Sequence, residues 1–259
     1  EAVHAAFTKE SDLFAEKGVV YKKTFVNMDN GPLCARQMYE DWGPELGLSE
    51  EEAIRATEAG LKALADFYQA RRDEARAMLD TLEREQRLGI VLLARPYHND
   101  PGINHEIMDE FQKLGYPVFT QDSLPIDDDI IERLFGDEVA RGEITSGFDI
   151  HDVWKNSYSE NTSRKVWAAK YVARHPNLVA LELSNFKCGH DAPIYTVIEE
   201  IVENSGTPFF YSKDIDENKP QGAIRIRVET IGYFLKRYRE TMIEKARKRD
   251  EIERELAAF

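Results

Sequence analysis

Four short apolar runs interleaved with helix-length segments constrain this chain more than any other feature. Gly89-Ile90-Val91-Leu92-Leu93-Ala94 and Leu178-Val179-Ala180-Leu181-Glu182-Leu183 are apolar almost throughout. Pro117-Val118-Phe119 and Pro208-Phe209-Phe210-Tyr211 are shorter versions. A strand wet on one face alternates apolar and polar residues. Strands that do not alternate need cover on both faces, which is the condition of a parallel α/β sheet. Helical segments at Asn104 to Leu114, Ser157 to Arg174 and Ala192 to Asn204 stand where the covering helices belong.

The flanks read differently. Residues 1–48 suggest a helix from Ala2 to Lys17, a strand from Gly18 to Val26, and a loop from Pro32 to Gly47 that carries Cys34. Ser49 with Glu52 three residues on forms a capping box, and Ile54, Leu61, Leu64, Ala75, Met78 and Leu82 recur at helical spacing. They predict one connecting helix over 49–88. An α/β domain is expected over 89–220, with 120–155 rich in loop, and a last long helix over 221–259.

Apolar content of 42% suits a globular domain, and no apolar run approaches the roughly 20 residues of a membrane span. A formal charge of −14 argues against nucleic acid as a partner. The lysines and arginines between Lys236 and Arg249 are mixed with glutamates, which reads as a solvated helix face. Two cysteines make no disulfide scaffold, so a reducing, cytoplasmic setting is expected. The chain opens Glu1-Ala2 without a methionine and is expected to be part of a longer polypeptide.

A parallel sheet gathers its chemistry in the loops after the strands. Here these loops are Arg95-Pro96-Tyr97-His98-Asn99-Asp100-Pro101-Gly102-Ile103-Asn104-His105, then Thr120-Gln121-Asp122-Ser123, then Ser184 to Asp191 with Cys188-Gly189-His190, then Ser212 to Lys219. Cys188 is a candidate ligand beside a helix start, or a buried small apolar residue. Cys34 has the same two readings. His98 and His105 are candidate donors, or brace their loop through backbone carbonyls. Asp191 before Ala192-Pro193 reads as an N-cap. Asp214 and Asp216 have calcium-ligand spacing but lack the rest of that loop. Glycine-rich phosphate loops and the serine-nucleophile elbow are absent, so no nucleotide site is expected. A Cys188–histidine nucleophile pair remains a weaker alternative.

The strings Arg95-Pro96-Tyr97-His98-Asn99-Asp100-Pro101-Gly102-Ile103-Asn104-His105, Asn185-Phe186-Lys187-Cys188-Gly189-His190-Asp191-Ala192-Pro193 and Asp214-Ile215-Asp216-Glu217-Asn218 together resemble one family. It is the large CoA-substrate-specific enzyme activase-related proteins of anaerobic bacteria, similar to the activator and dehydratase components of the 2-hydroxyacyl-CoA dehydratase system. The resemblance covers roughly residues 85–235. It implies a flavodoxin-like (Rossmann-like) sheet and a [4Fe–4S] cluster held by cysteines from different domains. It also implies an ATP-driven activase that delivers an electron to that cluster.

On this reading Cys188 is one cluster ligand, Cys34 a candidate second, and the remainder come from outside the chain. Tyr97, His98 and His190 are then candidate hydrogen-bond donors to cluster or substrate, and the helix near Ala192 would aim amides at the Cys188 sulfur. The implied partners are other domains of a longer polypeptide or an activase, with a homo-oligomer open. The implied substrate is an acyl-CoA or similarly hard-to-reduce compound. A non-catalytic scaffold between activase and reductase parts is the alternative.

Overall fold

The computed structural model describes residues 2–157, 159–184, 188–212, 215 and 221–257. Backbone packing divides the chain into Glu1–Gln69 and Ala70–Phe259.

The first unit contains α1 (Ala2–Thr8), α2 (Leu13–Glu16), α3 (Gly31–Leu46) and the start of α4 (Glu50–Arg84). The single helix expected from Ala2 to Lys17 is interrupted because Asp12 caps a new one. Its carboxylate accepts from the amides of Phe14 and Ala15, both at 3.1 Å. The expected strand at Gly18–Val26 does not form. The segment is tied to α3 through side chains instead: Trp42 Nε1 donates to Thr24 Oγ1 at 2.8 Å, and Lys22 pairs with Glu45 at 3.0 Å.

The expected loop from Pro32 to Gly47 is helix α3. Pro32 and Gly47 are end signals, whereas Gly43 and Pro44 lie inside the helix. Asn30 accepts from the Leu33 amide at 3.0 Å, Pro32 stands in the first turn, and Gly47 closes the helix at a φ of 64°. Cys34 therefore sits in the first turn of a helix, 3% exposed, and not in a loop. The Ser49–Glu52 capping box that opens α4 is present, with reciprocal bonds of 2.9 and 3.3 Å.

The second unit runs from the end of α4 through β1 (Gly89–Leu93), α5 (Ile107–Lys113), β2 (Val118–Thr120), α6 (Asp128–Ala140), α7 (Glu160–Arg174), β3 (Leu178–Leu183), α8 (Tyr195–Asn204), β4 (Phe209–Ser212) and α9 (Gln221–Ala257). The four strands form an all-parallel sheet in the order β2-β1-β3-β4, the flavodoxin-like α/β arrangement. Helix α6 replaces part of the interval expected to be loop, because Ile130 and Phe135 bury an apolar stripe in the core.

Alternate residues of β1 and β3 face two separate cores. Val91, Leu93, Leu178 and Ala180 join Val166, Trp167, Ile198 and Val202 from α7 and α8 on one side. Ile90, Leu92, Val179 and Leu181 join Ile107, Phe111, Ile224 and Val228 from α5 and α9 on the other. The later half of α9 is exposed and carries i,i+4 pairs such as Glu244–Lys248 at 2.8 Å, as a solvated face should. No helix among the described residues is long and apolar enough to cross a membrane.

Candidate functional site

Strands β1 and β3 are adjacent, and the chain leaves them toward opposite sides of the sheet. The crevice outside their carboxyl ends is the switch point at which open α/β sheets bind ligands. The loops entering it are 94–106 after β1 and the described part of 184–194 after β3.

The first loop is held by its own hydrogen bonds. Pro96–Asn99 makes a 3₁₀ turn in which the Arg95 amide donates to His98 Nδ1 at 3.2 Å. Asp100 accepts from the amides of Gly102 and Ile103 at 2.9 and 3.1 Å. Asn104 Nδ2 donates to the His98 carbonyl at 2.8 Å. His105 and Glu106 both adopt positive φ, 52° and 60°, a conformation that side-chain-bearing residues enter at a cost of about 1–2 kcal/mol each.

The second loop is tied to the first by charge. Asp191 is fully buried. Its Oδ1 accepts from Arg95 Nε at 2.9 Å and from Lys165 Nζ of α7 at 3.3 Å, and its Oδ2 accepts from Ser184 Oγ at 3.1 Å. Arg95 also donates to Thr162 Oγ1 at 3.1 Å, and Tyr195 donates to Ser184 Oγ at 2.6 Å. Lys165 lies 2.9 Å from Glu182 Oε1. Two cations and two carboxylates thus balance inside the sheet's end. Asp191 stands at the expected N-cap position with Pro193 in the first turn, but its side chain makes no capping bond and instead pins two loops together.

Cys188 is half-buried at the rim of this network. Tyr97 stands beside it, and burial followed by the nearby Cys188 and Asp191 pushes the phenol up to about 12. The amides of Asp191 and Ala192 both donate to the Cys188 carbonyl at 3.1 Å. They are thereby committed to the backbone oxygen, which corrects the expectation that the helix start aims them at sulfur. His98 is fully buried, and burial with the nearby Lys165 ammonium brings it down to about 4, so the ring is neutral. With Nδ1 accepting, Nε2 carries the proton, and that donor has no hydrogen-bond partner among the described residues.

Tyr97, His98 and Cys188 are therefore gathered at one sheet edge. His190 is exposed beside them and makes no hydrogen bond to the network among the described residues. Cys34 belongs to the first unit. Asn185-Phe186-Lys187, Asp214 and Asp216 lie outside the described residues. Among the described residues no three His, Cys, Asp or Glu side chains converge as a metal site.

The sequence reading missed Arg95, Lys165, Glu182 and Tyr195 as parts of the site. A signal existed for two of them. Glu182 is the one charge in the strand Leu178–Leu183, and Lys165 directly precedes the apolar run Val166-Trp167-Ala168-Ala169. Buried charges of this kind need each other.

Residues 1–124 match the family described as CoA enzyme activase uncharacterised domain. That stretch takes in Cys34, Tyr97 and His98 and stops before α7, Cys188 and Asp191. The relation it supports is to CoA-enzyme activase proteins. No curated protein and no solved structure matches the chain.

Proposed function

We propose that the chain is a redox component of a CoA-enzyme activase system, in which Cys188 gives one thiolate to a [4Fe–4S]-type cluster completed by ligands from elsewhere. The observation that carries this reading is a half-buried thiol at the sheet's switch point beside Tyr97. A cluster needs cysteine thiolates, partial burial and hydrogen bonds to sulfur that set its potential. The residues present fit one ligand position of such a group, since a single thiol stands at the site.

When bound, a cluster supplies one-electron chemistry. The chain's own residues do the rest. Tyr97, beside Cys188, keeps its proton on the phenol oxygen, and neutral His98 offers an unused Nε2–H. The Arg95–Asp191–Lys165 lattice keeps the two loops in register. The substrate class is an acyl-CoA or a comparably hard-to-reduce compound, and the partner is the activase or a neighbouring domain.

The test is anaerobic reconstitution of the chain together with its partner polypeptide, read as iron and acid-labile sulfide, beside Cys188→Ala. Loss of iron in the variant is expected, and unchanged iron overturns the ligand assignment. A second reading is a scaffold between activase and reductase parts. It draws on the lack of any three converging metal-capable side chains among the described residues. No iron in either protein selects it.

A further inference from the structure

Helix α7 has a second functional face. Thr162 and Lys165 point to the charge network. Ser163, Arg164 and Trp167, about a third to a half turn around the helix, line a cavity of ≈ 660 Å³ at the carboxyl end of β2. This volume lies within the range of small-molecule sites, roughly 300–1,000 Å³.

The walls are aromatic. Phe148 and Trp167 stack at 5.7 Å between ring centroids, and Trp154 adds another ring surface. The Phe148 ring is 53% exposed, a large apolar face turned to solvent beside the cavity. Trp167 is fixed by donating Nε1–H to the Gly147 carbonyl at 2.8 Å. Gln121 is 92% buried at the floor, and its Oε1 has no hydrogen-bond partner among the described residues. A buried acceptor left unsatisfied costs about 1–3 kcal/mol, which a ligand N–H would remove after a turn of the amide.

The rim is cationic in a chain whose net charge is −14. Arg72, Lys155 and Arg164 surround the opening. Arg164 is engaged by Glu160, and the one carboxylate in the lining, Asp122, is taken by Arg71 at 2.8 Å. Neither Arg72 nor Lys155 forms an ion pair with another described residue. Aromatic walls, a floor that accepts a hydrogen bond and free cations at the mouth define one ligand chemistry. It is an anion with a flat aromatic body bearing N–H donors.

We infer that this cavity binds a nucleoside phosphate, with the base on the Trp154–Phe148 wall, its amino group toward Gln121 and the phosphate at Arg72 and Lys155. The site uses none of the glycine-rich phosphate loops whose absence argued against nucleotide binding in the sequence. It is independent of any cluster at Cys188.

The experiment is titration calorimetry of the intact chain with ADP, adenosine and inorganic phosphate as separate probes. ADP is expected to bind at least about tenfold tighter than either adenosine or phosphate. In Arg72→Ala/Lys155→Ala, ADP should weaken by about tenfold or more while adenosine binding is unchanged. Trp154→Ala should weaken both ADP and adenosine. Circular dichroism melting of each variant establishes that it is folded. No ADP heat at millimolar concentration, or ADP affinity indifferent to the double substitution in a folded variant, overturns the proposal.

Discussion

Lys165 Nζ lies 2.9 Å from Glu182 Oε1, and neither side chain has any solvent-exposed surface. Asp191, equally buried, takes the same ammonium at 3.3 Å and Arg95 at 2.9 Å. Breaking one partner of such a set leaves an uncompensated charge inside the protein, a cost of about 3–5 kcal/mol. Lys165→Met is therefore expected to lower the unfolding free energy in urea by that amount. The double variant Lys165→Met/Glu182→Leu removes one charge of each sign and should recover more than half of the loss. A double variant no better than the single would mean that packing, not charge balance, sets the cost.

His98 gives the site a pH signature. Its folded value of about 4 lies below the ordinary 6.5, so the folded protein binds fewer protons than the unfolded chain between these limits. Stability is full above the unfolded value and falls as pH drops from about 6.5 toward about 4. His175, also brought down to about 4 by burial, acts in the same direction. Each histidine contributes about 3 kcal/mol of acid sensitivity at roughly 1.4 kcal/mol per pKa unit. His98→Gln should show a loss between about pH 7 and about pH 4.5 that is smaller by about 2 kcal/mol, read from urea midpoints at the two pH values. An unchanged slope would place the burden on other groups.

Much of the second unit was legible in the sequence because its signals are local. Apolar runs that do not alternate mark buried strands, and the loops after them carry the polar residues that meet at the switch point. Tyr97, His98 and Cys188 were found in this way. What escaped was set by contacts distant in sequence. Arg95 and Asp191 are 96 positions apart, and nothing near Asp191 distinguishes a cap from the centre of an ion lattice. In the first unit the same residue types misled. Pro32 to Gly47 read as a loop, although Asn30 before α3 and Gly47 after it are start and stop signals of a helix.

Gly89 opens β1 at a point with no room for a side chain. A methyl group there would lie 2.6 Å from Phe119 Cε2 and 2.7 Å from Leu82 Cδ1. Both neighbours belong to the packed face of the sheet, so they yield only by leaving their rotamers. Gly89→Ala is expected to destabilise the second unit by about 1–3 kcal/mol. The check is the thermal midpoint of the folded protein beside Gly60→Ala. The Gly60 position in α4 meets nothing within 4 Å, and alanine there should be neutral or stabilising.

The two cysteines should differ sharply toward a small thiol reagent. Cys34 is 3% exposed in the first turn of α3, whereas Cys188 is half-buried at the mouth of the crevice beside Tyr97. One thiol per chain is therefore expected to react in the native protein and the second only after denaturation, with peptide mapping placing the first label on Cys188. Tyr97→Ala uncovers the sulfur and should accelerate that first reaction while leaving Cys34 protected. The Tyr97 ring is 38% exposed, so its loss is not expected to unfold the site. Equal reactivity of both thiols would show that α3 opens on the timescale of labelling. An unaltered Cys188 rate in Tyr97→Ala would show that the phenol does not cover the sulfur in solution, and the donor role assigned to Tyr97 would fall with it.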